Sequence, residues 1–529
     1  MGWQVIRQSP LPLRLAIGAA LLVFVCIGGW NVVHPGLYYD EMLFVDAALG
    51  QPNNIFRFIN FGELPVMLMP YIGALKAWLY YPIFKLFGVT AYSVRWPMVL
   101  LGALTLWINY LVLLRAFSRP VALVFLAMAA VEPATLFHTR LDWGPTALMM
   151  CFRSLMLLAT VQWLRTQQPR WLLALLAAAL FGIFDKLNYL WLCVALAAAL
   201  LTVYPRTLLE FCRSNLRFSM VTAAVVGVIA IGILSYMRTA VPLEEELGQS
   251  DWHYRYVVVK QLLQATMAGT GVYTVVTRAP DDVALGLPHL RVLTFALVAA
   301  LALAIGFRRR IDWRMTAFFG VFAAVIVIAL YFTRQATGPH HTATLAPLWL
   351  MLLAIPLGQP FAIADAGKLG RILAVVTVVV VCLSSLRIDA INLRGFEANP
   401  EPRWDPGSAA LVSEIGQHPG RLIITADWGS GTIINGLMNG NVTIFDNWPN
   451  FVTYPDATTI DYYERLIAER SPLFVVPAEG TASFPEARSN IMQLAKARNW
   501  QANLEATIER HDGEPLFLLY SVQLPSSTP

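Results

Sequence analysis

Apolar residues in this chain are grouped in long runs, and the polar positions are confined to short stretches between them. At about 1.5 Å of rise per residue, against a hydrocarbon layer of about 30 Å, such runs read as membrane-spanning helices. They fall at 14–33, 92–114, 120–139, 145–164, 171–184, 188–204, 218–236, 292–307, 315–332, 343–357 and 372–387, which makes eleven spans. A further apolar stretch, 66–88, carries Lys76, Lys85, Pro70, Pro82 and many aromatics, the composition of a helix lying in the interface. The basic residues decide this assignment. With eleven spans, Arg115 and Arg119, Arg165 and Arg170, Arg206, Arg213 and Arg217, Arg308 to Arg310 and Arg314, and Lys368 and Arg371 all share the face of Arg7 and Arg14. A span at 66–88 would put the N-terminal arginines opposite all the others, against the positive-inside rule. No small-residue cleavage site follows the first run, so it reads as a retained anchor.

Beyond Leu386 the pattern becomes that of a soluble domain. Segments 421–425, 441–445 and 473–476 read as short buried strands, with helices near 458–470 and 485–499 between and after them. Segments 504–509 and 516–522 flank the turn His511-Asp512-Gly513-Glu514-Pro515 as a hairpin. The chain therefore divides into a transmembrane domain, residues 1–390, and an outer α/β domain, residues 391–529. Gly429-Ser430-Gly431-Thr432 is either an anion seat at a helix start or a plain strand-to-helix turn, and the turn is the preferred reading.

Composition agrees with a polytopic membrane protein: 57% of residues are hydrophobic, 13% are charged and mean hydropathy is +0.58. The net charge of +5 is spread between the apolar runs, which excludes a nucleic-acid partner. Cys26, Cys151, Cys193, Cys212 and Cys382 lie in or beside apolar runs and form neither a disulfide framework nor a thiolate metal site.

The loops on the opposite face carry the chemistry. Tyr38-Tyr39-Asp40-Glu41 follows the first span directly, and its paired acids are either a solvated helix-exit turn or a base and anchor beside a lipid-borne reactant. Arg140-Leu141-Asp142 joins spans three and four, as a simple ion pair or as a phosphate contact with a substrate-steering acid. Asp185-Lys186 lies at the next outer turn, where the lysine either snorkels or meets a lipid phosphate. The long loop 237–291 and the stretch with Arg334, His340 and His341 complete the set. Ionisable groups gathered at one face describe an active-site rim, whereas a permeation path needs charge near the midplane.

The order of these features resembles the protein O-mannosyltransferase superfamily: an acid pair after span one, a Pro-bearing segment ending Lys85-Leu86-Phe87-Gly88, Arg140-Leu141-Asp142 before span four and Lys186 before span six. The layout is similar to that of bacterial 4-amino-4-deoxy-L-arabinose lipid A transferases, which share the GT-C fold, over roughly residues 10 to 390. That resemblance implies a polyprenyl-phosphate-linked sugar donor. It implies Asp40 as the catalytic acid residue, Asp142 as the second outer acid and Lys186 as the lysine near the donor phosphate. Glu63 matches the acid before a family Lys-Pro, but the lysine is replaced here by Leu64. Trp252-His253-Tyr254 resembles a Trp-His-Tyr of the lipid A enzymes, which implies a divalent metal ion near Glu63 and His253. His340 and His341 stand where the family brings polar groups to the lipid phosphate; by themselves they read as an interfacial cap.

The expectation is a multi-pass inner-membrane glycosyltransferase with its active site and C-terminal domain on the extracytoplasmic side. It transfers a hexosyl or pentosyl group to a glycolipid, glycan or protein acceptor by inverting displacement. Asp40 takes the acceptor proton, Glu41 or Asp142 orients the acceptor, and Lys186, Arg140, Arg334 and a histidine hold the departing phosphate. A flippase for lipid-linked glycans would need midplane charges and related halves; a non-catalytic scaffold would not need acids and bases on one face.

Overall fold

A computed structural model describes residues 10–49, 58–240, 252–277, 283–332, 338–363 and 367–525. Helices dominate the first three quarters. They are α1 (Leu11–Gly29), α2 (Tyr39–Leu49), α3 (Leu75–Phe87), α4 (Ala91–Ala116), α5 (Arg119–Ala129), α6 (Pro133–Arg140), α7 (Thr146–Thr166), α8 (Pro169–Asp185) and α9 (Leu190–Val203). After these come α10 (Pro205–Ser214), α11 (Leu216–Ala240), α12 (Trp252–Ala268), α13 (Gly271–Val276), α14 (Val283–Gly306), α15 (Trp313–Phe332), α16 (Pro339–Thr342), α17 (Leu348–Ala362) and α18 (Lys368–Ala398).

Among the described residues eight helices are long and apolar enough to cross a membrane, and two bent pairs raise the number to ten. One pair is α5 and α6, bent by 60°; the other is the helix through α9 with α10, bent by 93°. The 17-residue α8 occupies the remaining expected position. All eleven apolar runs are thus helical in the structure.

Two expectations change. In 66–88, only α3 is helical; its 13 residues at about 1.5 Å each are too short to span. The preceding residues form a small antiparallel sheet of β1 (Ile59–Phe61), β2 (Leu64–Met69) and β3 (Ile72–Gly73). Pro65 and Pro70 withhold backbone donors, and Gly62 turns the chain at φ +62° between β1 and β2. The long loop 237–291 is also largely helical in its described parts, as α12, α13 and the start of α14.

The basic loops meet at one end of the bundle. Arg165 donates to the Ala116 carbonyl at 2.7 Å, and Arg314 donates to the Val203 carbonyl at 3.1 Å while lying over the Tyr204 ring. The most deeply packed membrane helices are α4, α7 and α17, and on the first two Thr105, Ser154 and Thr160 each donate to the carbonyl four residues earlier.

The C-terminal domain, expected on the outer face, is a five-stranded sheet in the order β5 (Thr443–Asp446), β4 (Leu422–Thr425), β6 (Leu473–Pro477), β8 (Pro515–Gln523), β7 (Gln501–Glu509). β4 pairs in parallel with both β5 and β6, and the β7–β8 hairpin joins β6 antiparallel. Helix α19 (Ser430–Leu437) leaves β4 and lies against α2 of the membrane domain. Close approach there depends on glycine: a Cβ on Gly436 would sit 2.3 Å from Met42, and one on Gly429, at φ +88°, would strike Tyr39. Asn435 donates to Asp46 across the same contact, and Asn439 accepts from the Val89 amide at 2.8 Å. The Gly429–Thr432 stretch is therefore the strand-to-helix turn that docks the outer domain on α2.

Candidate active site

Two buried arginines shape the segment that leads from α1 to α2. Arg95 on α4 holds both oxygens of Glu41 at 2.8 Å and donates to the carbonyls of Val32, Pro35 and Gly36 at 2.6 to 2.8 Å. Arg140, at the end of α6, donates to the carbonyls of Gly28, Trp30, Asn31 and His34. The planar guanidinium, with five donors in fixed directions, suits such a multiple grip. The loop before Asp40 is consequently held by its backbone.

This revises two expected roles. Arg140 is 1% exposed, and both of its terminal nitrogens are taken up in clamping the chain. Glu41 is 1% exposed, receives Arg95 and accepts from the Tyr38 amide at 3.1 Å, so its carboxylate is consumed as an anchor. Neither arrangement was legible from sequence, because Arg95 lies far from Glu41 along the chain and within a run that reads as pure span.

Asp40 stands in the first turn of α2. Burial raises its pKa, the nearby Lys186 and Lys76 pull it back, and the result is about 6. Lys186 caps the end of α8 and is held by its backbone: its residue pairs with Ile72 of β3, and the next amide donates to the Tyr71 carbonyl at 3.0 Å. Its ammonium lies beside Gly144, where a Cβ would be 3.6 Å away. Asp142 forms a buried ion pair with Lys76 at 2.9 Å and accepts from the Ala147 amide at 2.8 Å, which starts α7. Lys76 also donates to the Asp142 and Gly144 carbonyls at 2.7 and 3.3 Å. Asp142 is thus a positioning group for Lys76, and Lys76 is a site cation that the sequence reading had assigned to the interface. Asp185 is buried in the electrostatic reach of Lys76, Asp142 and Lys186, and neither of its oxygens has a hydrogen-bond partner among the described residues.

His340 and His341 lie with their rings tilted by 39° at 4.1 Å between centroids, and both lie within electrostatic reach of Lys186. Trp143 packs edge-on against His340 and His138. Arg153 of α7 fixes the following turn through the Thr344 and Ala346 carbonyls. Arg334 lies outside the described residues. Glu63 is exposed at the β1–β2 turn and His253 is exposed on α12. Among the described residues no three His, Cys, Asp or Glu side chains gather to hold a metal ion.

An apolar groove of about 550 Å³ runs between α8, α9 and α11. Its lining includes Ile183 and Leu190, one on each side of Lys186 in sequence, and it continues through Leu176, Leu196 and Ile229.

This helix order, with an outer α/β domain over a rim of acids and lysines, is that of the GT-C membrane glycosyltransferase fold. Residues 73–240 match the dolichyl-phosphate-mannose-protein mannosyltransferase family. The chain is similar to the crystal structure of ArnT from Cupriavidus metallidurans bound to undecaprenyl phosphate, with a TM-score of 0.60 at 14% identity over 96% of this chain and 97% of that one. The apo structure of the same enzyme matches with a TM-score of 0.56 at 15% identity, over 96% of this chain and 97% of that one. The archaeal oligosaccharyltransferase AglB from Archaeoglobus fulgidus, in complex with an inhibitory peptide and a dolichol-phosphate, matches with a TM-score of 0.53 at 12% identity, over 98% of this chain and 75% of that one. Comparison with curated proteins gave no match.

Proposed function

We propose that this protein is a glycosyltransferase that moves one sugar from a polyprenyl phosphate to an acceptor hydroxyl or amine at the membrane face carrying Asp40. The observation that carries this reading is the apolar groove between α8, α9 and α11, whose lining includes Ile183 and Leu190 on either side of Lys186 in sequence, with Asp40 and the His340–His341 pair in the electrostatic reach of that lysine. The groove suits an isoprenoid chain, and the lysine suits the phosphate at its end. The fold shared with ArnT bound to undecaprenyl phosphate supports the same assignment.

The chemistry balances without a nucleotide. The acceptor heteroatom attacks the anomeric carbon from the face opposite the phosphate and inverts it, and its proton passes to the Asp40 carboxylate. The bond from anomeric carbon to phosphate oxygen breaks, and the electron pair leaves with the phosphate. Lys186 faces the charge that develops there, and desolvation strengthens that interaction. Lys186, and after it Lys76 held by Asp142, offset part of the rise that burial imposes on the Asp40 pKa. A flippase is less well supported, because the site residues gather at one face of the bundle.

Lys186→Ala tests the assignment. It should raise the donor KM and lower kcat together, because it removes phosphate capture and leaving-group stabilisation at once. The measurement is transfer from a synthetic polyprenyl-phosphate sugar by purified protein, with membrane extract as acceptor source. Unchanged kinetics in both parameters would remove Lys186 from the donor site.

The sidedness is also part of the proposal: Asp40 and the outer domain lie on the extracytoplasmic side of a bacterial inner membrane. Reporter domains fused after Phe117 and after Val522 should report opposite sides. The same side for both would mean that the number of crossings between them is wrong.

A further inference from the structure

The parallel strands of the outer domain end in a crevice that the chemistry above does not use. β4 lies between β5 and β6, so the chain leaves β4 toward one neighbour and later returns to the other. In open sheets, ligands bind where the carboxyl ends of strands diverge in this way. The residues that follow the three strands are Asp427 and Trp428 after β4, Asn447 and Trp448 after β5, and Ser483 and Phe484 after β6.

These residues form an aromatic wall with polar groups set into it. Trp448 and Phe484 stack with their planes 3° apart at 4.8 Å, and Trp428 lies 5.9 Å from Phe484 and 6.3 Å from Trp448. Each of the three rings remains only partly covered, unlike the sealed core of this domain. Trp448 Nε1 and Asp446 Oδ2 are shielded from solvent and have no hydrogen-bond partner among the described residues. Buried polar groups are normally paired, so an unpaired donor and an unpaired acceptor at one strand end, the other Asp446 oxygen accepting from Thr425 at 2.7 Å, call for a partner. Asp427, also buried, accepts from the Ser483 amide at 2.8 Å and lines a small cavity of about 30 Å³ with Tyr38, Arg403 and Trp428. That cavity takes a substituent and not a ring.

The wall is continuous with the reaction site. Trp428 packs on Tyr39 at 4.5 Å, Tyr39 meets Tyr38 at 6.4 Å, and Tyr38 stacks on Trp404 at 4.3 Å. Trp404 in turn lies 5.4 Å from Trp143, beside His340. Asp40 follows Tyr39 directly. Tyr39, Trp404 and Trp143 are buried, so this run of rings joins the crevice to the reaction site through packed structure.

We propose that the crevice formed by Asp427, Trp428, Asp446, Trp448 and Phe484 is a carbohydrate subsite that holds the acceptor glycan next to the residue being modified. The proposal rests on the glycosyltransferase reading and names its acceptor class. Sugar rings carry C–H faces of slight positive charge that match the negative faces of aromatic rings, and their hydroxyls both donate and accept. The crevice offers both: flat aromatic faces, a free indole N–H and carboxylates. A peptide would call for an exposed strand edge, and the crevice lies at the strand ends instead.

The test uses the full-length protein in nanodiscs with two independent readouts. Saturation-transfer NMR is run with methyl glycosides and short oligosaccharides of neutral, N-acetylated and acidic sugars, and with a Ser/Thr-containing peptide. Transfer kinetics are measured separately for donor and acceptor. Ring protons of at least one sugar class should receive saturation from wild type, and Trp448→Ala should remove most of it. Trp428→Ala should do the same, with Trp428→Phe retaining the signal; Trp448→Ala carries the test if Trp428→Ala does not fold. The acceptor KM should rise about tenfold in Trp448→Ala while the donor KM stays unchanged. Saturation of the peptide alone, or of sugars equally in wild type and Trp448→Ala, would overturn the proposal. The NMR arm needs no turnover, so sugar binding lost in Trp448→Ala without any transfer by wild type would overturn the catalytic reading alone.

Discussion

Asp40→Asn should yield folded protein with sugar transfer reduced roughly 10²–10⁴-fold, the usual size of a lost general base. The amide keeps the shape of the carboxyl but neither accepts the proton nor carries the charge. Wild-type activity should also rise with pH through about 6 and level off above it, because the base works only when ionised and its pKa stands at about 6. The sign follows from the acid: protonation below that value removes the base, so the rate falls about tenfold per pH unit on the acid limb. Both measurements use the purified transferase assay, with the Asp40→Asn residual rate followed across the same pH range. A variant with wild-type turnover would end the role given to Asp40. Glu41 is not a ready substitute, because Arg95 occupies both of its oxygens.

Arg95→Met should destabilise the protein by about 3–5 kcal/mol and abolish transfer, although Arg95 touches no reacting atom. The substitution leaves the Glu41 carboxylate buried without its partner and frees the carbonyls of Val32, Pro35 and Gly36. An uncompensated buried charge costs far more than the ion pair contributes, which is why one-sided removal is severe. Arg95→Lys should rescue little, since one ammonium cannot serve a carboxylate and three carbonyls in their fixed directions. Thermal unfolding followed by intrinsic tryptophan fluorescence gives the stability readout. A change under about 0.5 kcal/mol, typical of an inert surface position, would show that the clamp does not hold the loop.

The two variants separate the group that reacts from the group that places it. Asp40→Asn alters the proton inventory with the scaffold intact. Arg95→Met alters the scaffold and reaches the chemistry only through the position of Asp40.

Much of this architecture is legible in the chain. Apolar runs define the helices, because a bilayer requires every backbone group of a span to be satisfied within it and helices do this locally. The outer-domain strands at 422–425, 443–446 and 473–477 and the final hairpin fall within a few residues of their expected places, since alternation and turn residues are local signals. The same holds for the gathering of Asp40, Lys186, His340 and His341, because the count of spans alone assigns each to one face. The strand character of 64–73 was obscured by its hydrophobicity, which does not distinguish a short sheet from an interfacial helix.

Partner choice was decided by tertiary structure. In sequence, Glu41 and Asp40 are equivalent neighbouring acids; in the fold, successive helical positions point in different directions, and only Glu41 meets Arg95. Arg140 and Asp142 look like a pair, yet Arg140 turns to backbone carbonyls and Asp142 takes Lys76 from another helix. Trp428, Trp448 and Phe484 follow three different strands and become one wall only when those strands lie side by side. Local pattern determines which segments are helix or strand and which membrane face a loop occupies. Which charge is consumed as structure and which remains for chemistry depends on side-chain directions several helices apart, and a linear pattern does not carry those directions.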